Sequence, residues 1–268
     1  MRINFKLKCT GNQNISVNYN HSMMAVIYDL LRLGSKDFAQ FLHFKGFNIN
    51  GQVFKLFTFA LKFEKSYFLN NCLHLDSPRA NLIISSPRIE DFVKNFLIGT
   101  FTKQKIEIYS EYIKTNFIID QAELMPEPDL CESNYFHLAT PLVLSKREFV
   151  NDKAMKYYFR YDDNIDEINN VLRNNLIKKY EIIYNRTYNG TSVNIKWDED
   201  YIKYALNNNK KLSKKISIMK DPHDPINIKA IFCPFTINGD KELIKVGYDC
   251  GFGENNSLGF GMVYQNRN

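Results

Sequence analysis

Cysteine is scarce and unpatterned: five residues (Cys9, Cys72, Cys131, Cys233, Cys250) lie scattered along 268 positions, with no C-x-x-C pair. That argues against a disulfide framework or a zinc ribbon, and it fits a reducing cytoplasm. His, Asp and Glu nowhere gather at ligand spacing, so no metal or other cofactor is expected. No apolar run approaches the roughly 18 residues that cross a bilayer. The opening MRINFKLKC alternates polar and apolar residues like a strand, not like a signal peptide. No short internal repeat is visible either.

What is present is a core. Hydrophobic residues make up 44% of the chain, with 21 Phe and 16 Tyr. Lys and Arg exceed Asp and Glu by 35 − 29 = +6, which permits a polyanionic partner without demanding one.

Hydrophobic periodicity places a strand over residues 3–9. A helix carries Met24, Ile27, Tyr28 and Leu31 at i, i+3, i+4, i+7 and stops at Gly34. Ser35 caps a short second helix bearing Phe38, Phe41 and Leu42, which ends near Gly46. Strand-like runs follow at 53–63, 66–75 and 80–85. A further helix is expected from the Ser86 cap, Pro87 at its first position and Glu90 and Asp91 at its positive end, with Ile89, Phe92, Val93, Phe96 and Leu97 as its stripe and Gly99 as its stop. Strands at about 104–113 and 115–124 complete a βαββαβ order, the ferredoxin-like arrangement. Pro126 and Pro128 mark a boundary. Beyond it, strands at 135–144, 153–161, 226–237 and 242–248 and a helix at 165–185, with Asn164 and Glu167 at capping-box spacing, repeat the theme. The expectation is an α+β chain of two tandem ferredoxin-like domains, 1–126 and 127–268.

The tail GYDCGFGENNSLGFGMV holds five of the 12 glycines, at 247, 251, 253, 259 and 261. Such spacing describes a compact loop, read here as lying between two strands, whose exposed backbone N–H groups can hold phosphate oxygens. It is not a Walker A loop, because Phe260 and Gly261 follow Gly259 where Lys-Ser/Thr is needed. It is not a dinucleotide fingerprint, because Asn256 stands where the third Gly belongs. From these residues alone a purely structural loop is the commoner outcome.

Gly251-Phe252-Gly253, five intervening residues, then Gly259-Phe260-Gly261 resembles the C-terminal signature of the RAMP superfamily, and within it the CRISPR repeat-processing endoribonucleases. Tyr19-Asn20-His21, Ile27-Tyr28, Phe41-Leu42-His43 and Phe54-Lys55-Leu56-Phe57-Thr58-Phe59 are similar to that family in order and spacing. The stretch 145–220 adds little to the resemblance. It implies metal-independent cleavage of repeat RNA, in which the substrate's own 2′-hydroxyl attacks the adjacent phosphate. It also implies delivery of the guide RNA to effector-complex subunits by a monomer or homodimer. A non-cleaving repeat-RNA-binding subunit of the same fold is the alternative.

That chemistry needs a group on the nucleophile, an acid on the leaving 5′-oxygen and a cation beside the phosphorane. The resemblance gives the acid role to His43, whose residue type titrates near neutrality; taken alone, an ordinary surface histidine is more common. It gives Tyr28 a role as base or hydrogen-bonding partner, although an unperturbed phenol near pKa 10 is a poor base without a cationic neighbour. Lys55 is assigned to the phosphate charge, with Lys45 a rival that spacing does not separate. His21 falls in the segment that initiates the first helix. For RNA contacts the candidates are Lys45, Gly251, Gly253, Gly259 and Gly261, and the acid-free run 203–220 with Lys210, Lys211, Lys214 and Lys215, which also reads as a solvated loop. Lys178 and Lys179 are weaker candidates, on the assumption that they lie on a helix's charged outer face.

Overall fold

The alternation at the start of the chain becomes strand β1, Arg2–Thr10, which buries Ile3, Phe5, Leu7 and Cys9. In the computed structural model, residues 1–70, 72–87, 92–110, 113–150, 152–218 and 225–265 are described. They form two units: Met1–Glu127 with Ser217–Ile226 and Ser257–Gly259, and Pro128–Ile216 with Asn227–Asn256 and Phe260–Asn268. Among the described residues, no helix is long and apolar enough to cross a membrane.

In the first unit β1 is followed by α1 (Asn20–Gly34), α2 (Lys36–Gln40), β2 (Thr58–Phe63), β3 (Arg79–Ser85), α3 (Lys94–Lys103), β4 (Lys105–Ser110) and β5 (Ile113–Met125). The sheet order is β2-β3-β1-β5-β4, with antiparallel neighbours throughout. The first four strands of that order are the ferredoxin-like arrangement, and β4 adds an edge. Register places Phe5 opposite Leu82 and Leu7 opposite Ala80, so the apolar face is continuous. Two short hairpins, Phe47–Ile49 with Gln52–Phe54 and Ser66–Leu69 with Cys72–Leu75, extend from this frame.

Two details differ from the periodicity reading. Gly99 does not close its helix, because α3 runs on to Lys103. A methyl group on Gly99 would lie 1.9 Å from the Leu30 carbonyl oxygen, and one on Gly34 would lie 2.1 Å from that of Asn95. These glycines therefore let the backbones of α1 and α3 touch. The run 53–63 is also not one strand: it breaks at Lys55–Phe57, where Leu56 takes a left-handed φ of 53°. Ser86 donates its hydroxyl to the Leu56 carbonyl at 2.9 Å. The expected helix start at Ile89, Glu90 and Asp91 lies outside the described residues, as do Lys220 and His223.

The second unit contains β6 (Ser133–Leu138), α4 (Ile165–Tyr184), β7 (Val193–Trp197), β8 (Phe235–Gly239), α5 (Lys241–Cys250) and β9 (Val263–Tyr264). Its sheet order β7-β8-β6-β9 is again the ferredoxin-like one. Asn164 caps α4 by accepting from the Asp166 and Glu167 amides at 2.9 and 3.1 Å, while the Glu167 carboxylate meets Lys146 at 2.6 Å. Residues 242–248, expected as a strand, belong to helix α5. Asp240 accepts from the Glu242 and Leu243 amides at 2.7 and 3.3 Å, which starts a helix that buries Leu243, Ile244, Gly247 and Cys250. The glycine loop therefore joins a helix to a strand. The core of this unit packs Phe136, Phe235 and Phe252, with ring centroids 5.6–6.0 Å apart.

Candidate active site

His43 is presented by a single π-helical turn. Ser35 accepts from the Phe38 amide at 3.2 Å and starts α2. The chain then passes into Phe41–Lys45, closed by the Gly46 amide on the Phe41 carbonyl at 2.7 Å. Leu42 is fully buried and Phe41 packs on Phe47 at 5.2 Å, so His43, Phe44 and Lys45 face outward. Such turns recur at functional positions because the extra residue per turn re-aims side chains.

Gly46 ends the turn with φ 62°, and a methyl group there would sit 3.0 Å from the Lys55 ammonium. The hairpin 47–54 then returns the chain so that Lys55 donates to the His43 carbonyl at 2.8 Å and to the Leu42 carbonyl. Partial burial lowers its pKa. Tyr28, from α1, sets its ring edge-to-face on His43 at 5.0 Å and 83° and on Phe57 at 6.0 Å. Burial raises the Tyr28 pKa well above the ordinary phenol value. Tyr28, His43 and Lys55 thus meet in one place, from three separate segments. Lys45 is exposed at the end of the turn.

Other sequence candidates lie elsewhere along the chain. Lys210 donates to the Tyr204 hydroxyl at 3.0 Å and covers its ring, and Lys214 lies 4.1 Å from the centre of the Phe232 ring. Lys211 and Lys215 are exposed. Gly251, Gly253, Gly259 and Gly261 are buried with φ between 68° and 88°. The amides of Phe252, Glu254 and Gly261 donate to the carbonyls of Gly261, Val143 and Pro141, each at 2.8 Å. Those three amides are thus committed inside the protein.

Sequence reasoning missed the residue that organises this loop. Lys179 is not on the outer face of α4. It is 1% exposed and donates to the carbonyls of Gly251 and Gly253 and to Asn256 Oδ1, all at 2.7 Å. Asn256 in turn donates to the carbonyls of Phe252 and Phe260 at 3.0 Å. The only available signal was its spacing from Leu172 and Leu176 on the buried stripe.

The family model described as CRISPR associated protein Cas6, C-terminal, matches residues 125–264. A Methanocaldococcus jannaschii protein named CRISPR-associated endoribonuclease Cas6 1 is 30% identical over 264 residues, which cover 98% of this chain and 92% of that one. The chain belongs to the Cas6 family. A solved structure titled CRISPR associated protein Cas6 is 26% identical, covers 100% of this chain and 99% of its own, and superposes with a TM-score of 0.74. Another, titled An RAMP protein binding different RNA substrates, is 22% identical, covers 98% of each chain and shares the fold with a TM-score of 0.76. Cas6 and RAMP neighbours of this kind have the tandem ferredoxin-like architecture described above.

Proposed function

We propose that this Cas6 protein is a metal-independent endoribonuclease that cuts CRISPR repeat transcripts and releases guide RNAs for an effector complex. The observation that carries the reading is the edge-to-face contact of Tyr28 with an exposed His43 whose carbonyl is held by Lys55. The 2′-hydroxyl gives up its proton to solvent water as its oxygen attacks phosphorus, the bond to the 5′-oxygen breaks, and the His43 imidazolium protonates that leaving oxygen. The products are a 2′,3′-cyclic phosphate and a 5′-hydroxyl.

Burial disfavours the Tyr28 phenolate, so its part is to hold the imidazole and hydrogen-bond the nucleophile, not to remove its proton. An ammonium has three N–H groups. Lys55 gives two to the turn's carbonyls, which aims the charge, and the third serves the phosphorane oxygens. Lys45, Lys210, Lys211, Lys214 and Lys215 would neutralise backbone phosphates. The glycines 251–261 contribute by shaping the loop, since several of its amides already have internal partners.

The test is to incubate the protein with its cognate repeat RNA in EDTA and identify the termini formed. Cutting with a cyclic phosphate and a 5′-hydroxyl is expected. Cutting that disappears on chelation would overturn the metal-free route, and tight binding without cutting would favour a repeat-RNA-binding subunit.

A further inference from the structure

Phe44 is 77% exposed, directly after His43. Its ring meets the imidazole at 4.6 Å and 78°, on the outward side of the π turn. The turn's apolar needs are met by Leu42 and Phe41, which face inward, so packing alone does not call for a phenyl ring at position 44. Its flanks, His43 and Lys45, are both exposed, as is Val53 on the adjoining hairpin. The result is an exposed aromatic ring in contact with the candidate proton donor, with an exposed lysine next to it in the chain.

We infer that Phe44 is a nucleobase-stacking subsite: an unpaired base of the RNA lies on its free face, which fixes the neighbouring scissile linkage beside His43. This rests on the ribonuclease reading above and deepens it. Unpaired RNA bases are recognised by stacking on aromatic side chains, and such stacking tolerates any base because each presents a π-face. Stacked rings lie about one ring thickness apart, so a base on Phe44 brings its own phosphate within reach of the imidazole next door. Phe44 keeps most of its ring surface exposed beside this T-shaped contact, and the Tyr28 ring on the imidazole limits the rotation of His43.

The experiment uses full-length protein and cognate repeat RNA with a 2′-deoxynucleotide at the scissile position, so that binding is read without cutting. In separate RNAs, 2-aminopurine replaces each nucleotide flanking that position. Wild type, Phe44→Leu and Phe44→Trp are compared for affinity, 2-aminopurine fluorescence and, on unmodified RNA, single-turnover rate across pH. Because position 44 is exposed, the variants are expected to melt with wild type.

The expected result is quenching at one flanking position with wild type and Phe44→Trp, and its loss in Phe44→Leu together with about tenfold weaker binding. The pH profile should keep its shape in all three, because stacking does not alter the proton donor. Phe44→Leu binding and quenching like wild type would overturn the inference. So would a displaced pH profile with unchanged affinity, which would make Phe44 only a support for His43. If wild type neither binds nor cuts repeat RNA, the ribonuclease reading itself fails and this inference with it; that outcome is distinct from a silent Phe44→Leu.

Discussion

Replacing Lys179 with Met keeps most of the side chain's length and removes only its charge and donors. Three acceptors then lose their partner: the carbonyls of Gly251 and Gly253 and Asn256 Oδ1, each 2.7 Å from the ammonium. At roughly 2 kcal/mol for each buried acceptor left unpaired, the gross loss is about 6 kcal/mol. Against it stands relief from burying a cation. Desolvation holds the Lys179 pKa down from 10.5 to about 8, a difference corresponding to about 3 kcal/mol. The net expectation is a loss of about 3 kcal/mol, or a melting temperature lower by roughly 6–12 °C for a chain of this size. Calorimetry and urea unfolding read it directly. The same lysine sets a signed pH test. Between pH 8 and 10.5 the unfolded chain keeps a proton that the native state has released, so this group's contribution to stability rises with pH across that window and is flat below it. The difference between wild type and Lys179→Met isolates it. A variant within about 1 kcal/mol of wild type at pH 7, with no change of pH slope, would refute the claim that the loop is built around this cation.

Gly99→Ala should destabilise by roughly 1–3 kcal/mol despite a better helix former, because the added methyl meets backbone that cannot rotate away; a thermal melt equal to wild type would remove the close approach of α1 and α3. Asp240→Ala should cost about 1 kcal/mol in urea unfolding through its lost cap on α5, and no change would mean that water replaces the carboxylate there.

How much of this was legible in the chain depends on which force shapes each part. Strand β1 and helices α1 and α4 follow hydrophobic period and capping chemistry, which are local, and Asn164 caps where its spacing to Glu167 said it would. Helix α5 was misread as a strand because Leu243, Ile244, Val246 and Tyr248 are apolar at both periods, while the deciding signal, the Asp240 cap, stood just outside the run. Residues 193–197 drew no reading, and the run from 203 onward, read as a solvated loop, begins inside the helix Glu199–Asn207, where Asp198 accepts from the Tyr201 amide at 2.8 Å, and later forms the strand Ser213–Ile218. At the site, the residue types at 28, 43 and 55 were visible only through family resemblance. Three-dimensional relations had no sequence signature: the π turn, the break at Leu56 that frees Lys55 from a strand, and the Lys55 bond to the His43 carbonyl. Lys179 was misplaced because a lysine on a helix is ordinarily solvated, and its burial depends on carbonyls more than 70 residues away.

The most direct test of the account is the single-turnover cleavage rate of saturating repeat RNA by His43→Ala beside wild type. Since the imidazole is held to protonate the leaving oxygen, the variant should bind the RNA as wild type does and cut it about 10²–10⁴-fold more slowly. A variant that cuts at the wild-type rate would contradict the central claim and move the acid role to another group.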